Sequence, residues 1–252
     1  MPLTRREALR LLAAPAGIAA LGIPALGLTP PPSARSREKL KVLVAGGHPD
    51  DPESGCGGTI ARYVGAGHDV VVLYLTRGEA GIDGTPHDEA ARIRSAESQR
   101  ACTILGARPL FFGQVDGDTH IDGAAYTAMR ELLERERPDA LFTHWPIDTH
   151  PDHRAASLLV YDAWMRTGRK IPLGYFEVLT GEQTEVFRPT DYVDISTVAE
   201  RKRDATFAHA SQKPAEWYPV HERMAAFRGM EHGCAAAEAF VRHDAGPALL
   251  LP

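Results

Sequence analysis

The chain has 252 residues, 44% of them apolar, which suffices for one sizeable core and one domain rather than two. Its 28 basic and 33 acidic residues leave a formal charge of −5, and no basic cluster lies beyond the extreme N-terminus, so a nucleic-acid partner is not expected. The three cysteines, Cys56, Cys102 and Cys234, form no CxxC pair, and their odd number argues against a disulfide framework.

Residues 1–35 read as a twin-arginine export signal. Arg5-Arg6 precede Leu9, and residues 11–34 carry no charge. Pro15, Gly17, Gly22 and Pro24 interrupt that run, so no stable membrane span is expected after processing. The expected destination is the periplasm, the envelope or the medium. Residues 36–252 then form one domain that alternates apolar and amphipathic runs. Residues 41–46 (KVLVAG) predict a buried strand, 58–66 a helix, and 69–75 (DVVVLYL) a second strand. Residues 89–105 predict a helix stopped by Gly106, 109–112 a third strand, and 124–137 a helix ended by Pro138. Residues 140–144 (ALFTH) predict a fourth strand and 153–167 a fourth helix. Beyond Pro172 the pattern loosens. Strands are expected at 172–179 and 192–195, a helix capped by Ser196 through about 209, and mostly helix over 222–242, interrupted near Gly229 and Gly233. Strand–helix alternation at these lengths implies an α/β fold: a Rossmann-like, mostly parallel sheet with helices on both faces.

Ligands of such folds bind outside the carboxyl ends of the strands. The first of these loops reads Gly46-Gly47-His48-Pro49-Asp50-Asp51-Pro52-Glu53, and the loop after the fourth strand reads Asp148-Thr149-His150-Pro151-Asp152-His153. Alone, each segment is equally a polar turn leading into a helix. Together they put His and Asp at one edge of the sheet. Zinc takes nitrogen from His and oxygen from Asp, and a catalytic site needs three protein ligands. His48, Asp51 and His153 could supply them, leaving Asp50 free to act as a base. Arg77, Glu79 and Asp116 lie on the loops after the second and third strands, at the expected mouth, where they could bind substrate hydroxyls.

The chain resembles the LmbE-like, or PIG-L, family of zinc N-acetylglucosaminyl deacetylases. The resemblance rests on VLVAGGHPDDPESGCGGTIARY, on TRGEAG at 76–81 and on THPDHRAA at 149–156. Arg94-x-x-Glu97 leading to Leu105-Gly106, the segment 191–195 (DYVDI), Ser211-Gln212 and 237–240 (AEAF) support it. It covers residues 40 to 242. It implies that His48, Asp51 and His153 bind zinc or another divalent ion and that Asp50 is the general base. It also implies that His150 steadies the oxyanion and that Asp152 orients His150 and keeps it cationic. The implied reaction is removal of an acetyl group from an amino sugar or glycoconjugate, with a non-sugar amide as the alternative substrate. Relatives form trimers or hexamers, so a homo-oligomer is an open expectation. A dinucleotide-binding reading fails because GxGxxG is not met and Asp50 and Asp51 would repel a pyrophosphate. A non-catalytic sugar-binding protein would lack the metal or the base, and every expected catalytic position is filled.

Overall fold

The structure is a computed structural model and describes residues 39–252. The expected export signal, 1–35, lies outside the described residues. Seven strands form one sheet: β1 (Lys41–Gly46), β2 (Asp69–Tyr74), β3 (Arg108–Phe111), β4 (Ala140–His144), β5 (Leu173–Phe176), β6 (Asp191–Asp194) and β7 (Ala237–Arg242). Their order is β3-β2-β1-β4-β5-β7-β6. The first five are parallel, and β7 runs antiparallel to both β5 and β6. The helices are α1 (Asp51–Gly65), α2 (His87–Leu105), α3 (Gly123–Glu136), α4 (Pro151–Arg166), α5 (Ala199–Phe207) and α6 (Pro214–His232). No helix among the described residues is long and apolar enough to cross a membrane.

Strand alternation divides the core in two. Val42 and Val44 of β1 join Val72, Phe142, Phe240 and residues of α1 and α2 on one face. Leu43 and Ala45 join Leu73, Leu141 and residues of α3 and α4 on the other. The described residues therefore form a single α/β domain with helices on both faces.

Three expectations about the elements are corrected. Helix α1 starts at Asp51, seven residues before the expected start at Gly58, with a proline in its first turn. Its glycines are sites of close approach rather than breakers: a Cβ at Gly58 would lie 2.6 Å from Ile195. The second correction concerns 222–242. Helix α6 ends at His232 with Gly233 in the left-handed conformation (φ 86°), the usual helix stop. The chain then re-enters the sheet as β7. Its Glu238 carboxylate accepts the Gly58 and Thr59 N–H groups at 2.8 and 2.7 Å and pairs with buried Lys202 at 2.7 Å. Non-local pairing thus overrides the helical propensity of an alanine-rich run. Ser196 does not cap the fifth helix, because its hydroxyl donates to Asp194 instead.

Gly58→Ala should lower stability by about 1–2 kcal/mol, because overpacking (~1–3 kcal/mol) exceeds the helix-propensity gain of up to ~1 kcal/mol. Gly65, also helical, has nothing within 4 Å of an added Cβ. Gly65→Ala should therefore stabilise by about 0.5–1 kcal/mol. Urea denaturation of both variants checks the pair, and equal effects would contradict the packing described.

Candidate active site

The strand order reverses direction between β1 and β4, and the loops after these strands flank the resulting crevice. Gly47 leaves β1 and donates its N–H to His144 Nε2 at 3.0 Å, so the ladder continues through a side chain. A Cβ at Gly47 would lie 2.9 Å from the His153 ring, which is why the first loop can approach the second so closely. Asp50 then takes a left-handed backbone (φ 111°) just before α1 begins. For a non-glycine residue this is a strained conformation, of the kind found at functional sites.

That turn sends the two adjacent carboxylates in different directions. Asp51 Oδ2 faces three imidazoles: His48 Nδ1 at 3.2 Å, His153 Nε2 at 3.2 Å and His144 Nε2 at 3.3 Å. Asp50 instead meets Arg94 of α2, whose Nη2 lies 3.2 Å from Asp50 Oδ2 and also donates to the Pro49 carbonyl at 2.5 Å. Their ionisation diverges accordingly. Burial pushes the Asp50 carboxyl up to about 6, with Arg94 opposing. Burial would raise Asp51 as well, but the charges of His153 and His144 hold it well below the usual carboxylate range. Burial works against the His153 cation too, yet Asp51 and Asp148 raise it to about 9.

Among the described residues, three overlapping groups could hold a metal ion: His48–His150–His153, Asp51–His144–His153 and His48–Asp116–Asp152. His144 is the weakest donor. Its Nε2 lone pair receives the Gly47 N–H, its ring stacks on His153 at 4.0 Å, and burial followed by the His153 charge lowers it to about 4. The set expected from sequence, His48, Asp51 and His153, takes members from the first two groups. Its Asp51 contacts of 3.2 Å to each ring match the ~3.3 Å edge of a tetrahedron with metal bonds of 2.0–2.1 Å. Asp148 Oδ2 lies 3.1 Å from His153 Nδ1, which fixes the ring with Nε2 inward, a frequent support for a ligating histidine. The residues present therefore fit a divalent cation.

His150 stands at the N-terminus of α4 and lines the same cavity, which has a volume of about 590 Å³. Its Nδ1 accepts the Asp152 N–H at 3.3 Å, so in the neutral ring the proton sits on Nε2. Burial, then the charges of His48 and His153, lowers its pKa. The Asp152 side chain does not orient it as expected. Asp152 Oδ2 lies 3.0 Å from His48 Nε2 and accepts Gly117 N–H at 2.9 Å, while Oδ1 accepts the Thr119 hydroxyl at 2.7 Å. Asp116 lines the cavity, with Oδ1 3.2 Å from His48 Nε2. Arg77 and Glu79 are not among the cavity-lining residues. The buried Glu79 carboxylate is occupied by the Arg77 and Asp116 N–H groups and by Arg77 Nε, and the Arg77 side chain is half exposed.

Sequence reasoning assigned no site role to Arg94, Asp148 or the cavity residue His221, and placed His144 only at the end of the fourth strand. Arg94 carried a signal. It falls on the buried stripe Ala90, Ala91, Glu97, Ser98 and Ala101 of α2, where an unpaired charge would be costly.

Arg94→Met removes the charge that opposes burial at Asp50, so the Asp50 carboxyl should titrate above about 6 in the metal-free variant. Carboxyl carbon NMR reads the midpoint, and an unchanged or lower value would contradict the pairing.

A GlcNAc-PI de-N-acetylase (PIG-L) family model matches residues 43–164. Diacetylchitobiose deacetylase of Thermococcus kodakarensis is 33% identical over 79% of this chain and 81% of its own. The N,N'-diacetylchitobiose deacetylase of Pyrococcus horikoshii, solved with an inhibitor, shares the fold (TM-score 0.73, 24% identity, 82% of this chain and 85% of that one). So does GalB, the 4-carboxy-2-hydroxymuconate hydratase of Pseudomonas putida KT2440 (TM-score 0.74, 24% identity, 84% and 99%), so the fold by itself does not fix a reaction. With the two-loop His/Asp site and the extent of the sequence match together, the chain belongs to the PIG-L (LmbE-like) family of deacetylases, hydrolases of amide bonds.

Proposed function

We propose that the chain hydrolyses the acetamide of an N-acetylated amino sugar, using a divalent metal, zinc by preference, held by His48, Asp51 and His153. The observation that carries this reading is the division between neighbouring carboxylates. Asp51 turns into the imidazole cluster, while Asp50 turns toward Arg94 and the cavity. Its sugar specificity is supported by the diacetylchitobiose deacetylase relative.

A bound zinc would act as a Lewis acid and lower the pKa of water from 15.7 to about 7. Asp50 takes a proton from the attacking water and later delivers one to the departing amine, because an amide anion is too basic to leave alone. An acid–base group works best with a pKa near the operating pH, and burial brings Asp50 up to about 6. His150 offers its Nε2–H to the oxyanion; losing such a donor costs about 3–4 kcal/mol of barrier. Asp148 holds the His153 tautomer, and Asp152 with Asp116 holds the His48 ring. The Asp116 carboxylate, on the cavity wall beside Arg94, is the group placed to accept a sugar hydroxyl.

Asp50→Asn should keep its metal and lose roughly 10²–10⁴ in kcat, the usual contribution of a positioned acid–base group. Asp51→Ala should lose metal affinity, and His150→Ala should keep the metal and lose rate. Metal stoichiometry and acetate release measured on the same preparations test this. If Asp50→Asn lost metal while Asp51→Ala kept it, the two roles would be reversed. Full activity in Asp50→Asn would place the base elsewhere. Comparing N-acetyl sugars with N-acyl amino compounds separates the sugar reading from a non-sugar amide.

Export through residues 1–35 is part of the same proposal, supported by Arg5-Arg6 and the uncharged run that follows. Replacing both arginines by Lys should leave the protein in the cytoplasm, as fractionation would show. Unchanged secretion of the double variant would mean that another route operates.

A further inference from the structure

Two short motifs, Arg94-x-x-Glu97 and Ser211-Gln212, meet in the fold although 114 residues separate Glu97 from Ser211. Ser211 and Gln212 belong to one 3₁₀ turn, Ala210–Gln212, between α5 and α6. The Ser211 N–H and hydroxyl both donate to the buried Glu97 carboxylate, at 2.8 and 2.6 Å. Gln212 Nε2 donates to the Gly81 carbonyl at 3.0 Å. His209, which leads into the turn, is fully buried, with Nε2 3.5 Å from Oε2 of the equally buried Glu53. Glu53 Oε1 in turn accepts the Tyr74 hydroxyl.

These anchor points surround the Arg94–Asp50 pair. Glu53 lies in the first turn of α1, just after Asp50, and Glu97 lies one turn beyond Arg94 on the buried side of α2. Gly81 belongs to the loop that packs on the guanidinium: a Cβ at Gly78 or at Gly81 would overlap Arg94 Nη1. Arg94 depends on that packing. Its side chain is 4% exposed, and its Nε–H has no hydrogen-bond partner among the described residues. Nη2 bonds to the Pro49 carbonyl and to Asp50, and Nη1 stands 3.9 Å from Asp116. With most of its donor fork unbonded, the guanidinium is aimed largely by the shape around it. Asp50 has a similar need, because a left-handed non-glycine backbone persists only where its surroundings over-determine it.

We infer that Glu97 and Ser211 are positioning residues of the reaction: through them the turn at 209–212 clamps α1, α2 and the loop at 78–81 around Arg94, and so holds its guanidinium against Asp50. Neither residue touches substrate or metal; both act through Arg94. The inference rests on the proposed role of Asp50 as the acid–base group.

The test uses the full zinc-loaded protein and acetate release from N-acetylglucosamine and its β-1,4-linked dimer. Glu97→Ala should lower kcat roughly 10²-fold, the scale of a displaced catalytic group, with KM changed less than about twofold and zinc content unchanged. Glu97→Gln still accepts the Ser211 N–H and should recover most of the rate. Ser211→Ala, which keeps that N–H bond, should lose about 3–10-fold, as for one hydrogen bond. In an Arg94→Met background either alanine change should cost less than about twofold more, because its effect passes through the missing guanidinium. Nitrogen NMR gives a readout without turnover: rotation of the Arg94 guanidinium should be hindered in the wild type and fast in Glu97→Ala. If Glu97→Ala failed to fold, Ser211→Ala would carry the same cycle and the same NMR comparison. Additive losses in the Arg94→Met background, an unchanged kcat, or an unchanged guanidinium signal would overturn the inference and leave the deacetylase reading intact. If the wild-type protein released acetate from neither sugar, the deacetylase reading would fall, and this inference with it.

Discussion

The parallel pairing of β1 with β4 is the constraint on which the site depends. Val42 through Ala45 pair with Ala140 through Thr143, so the next residues of both strands emerge side by side. From that edge one chain segment delivers His48, Asp50 and Asp51, and the other delivers His144, His150 and His153. The register is firmly held because β1 and β4 are buried on both faces. A slip of one residue would exchange the side chains that meet the two helical layers. The Gly47 N–H bond to His144 extends this registration past the end of the ladder and into the chemistry.

Such a cluster is costly to bury unless its charges are matched. Asp50, Asp51, Asp116, Asp148 and Asp152 stand within one region, facing His48, His153 and the guanidinium of Arg94. The carboxylates lift His48 well above its usual pKa and bring His153 to about 9, although burial opposes both. A pocket that holds protons on imidazoles this firmly favours positive charge, and this is the electrostatic condition for a divalent cation. Arg94 acts separately, countering burial at Asp50 without touching the ring nitrogens that face Asp51.

Much of this was legible in the sequence, for physical reasons. β1, β2 and β4 are short apolar runs because parallel strands bury both faces, and the His/Asp loops follow them directly. β7 was not legible, since an alanine-rich run gains its strand character from β5, β6 and the contacts of Glu238, all distant in sequence. At the site, the two loop motifs bring His48, Asp51 and His153 together. Arg77 and Glu79 do not reach the cavity, because position on a loop tells which edge a residue occupies but not where it points. Asp152 supports His48 rather than His150, a choice set by Gly117 and Thr119 on another loop. Gln183 and Trp217 carried no signal as cavity residues, since the wall they line is made only by the folded chain.

The site is also ordered along the chain. Every group assigned to bond breaking lies between His48 and His153, while much of the wall that frames the far side of the cavity comes from residues 178–221. This later stretch is tied to the first half by the Asp148–Thr184 bridge, by Thr149 to Gln183, by Ser211 to Glu97 and Gln212 to Gly81, by Ile195 and Lys202 packed on the α1 glycines, and by the β5–β7–β6 pairing. The exposed turn residues between those anchors, Gly181, Glu182, Glu185 and Val186 among them, can change composition without disturbing the register of β1 and β4. The architecture thus separates along the chain the groups assigned to bond breaking from much of the wall that frames what is accepted, so a change in one stretch need not touch the other.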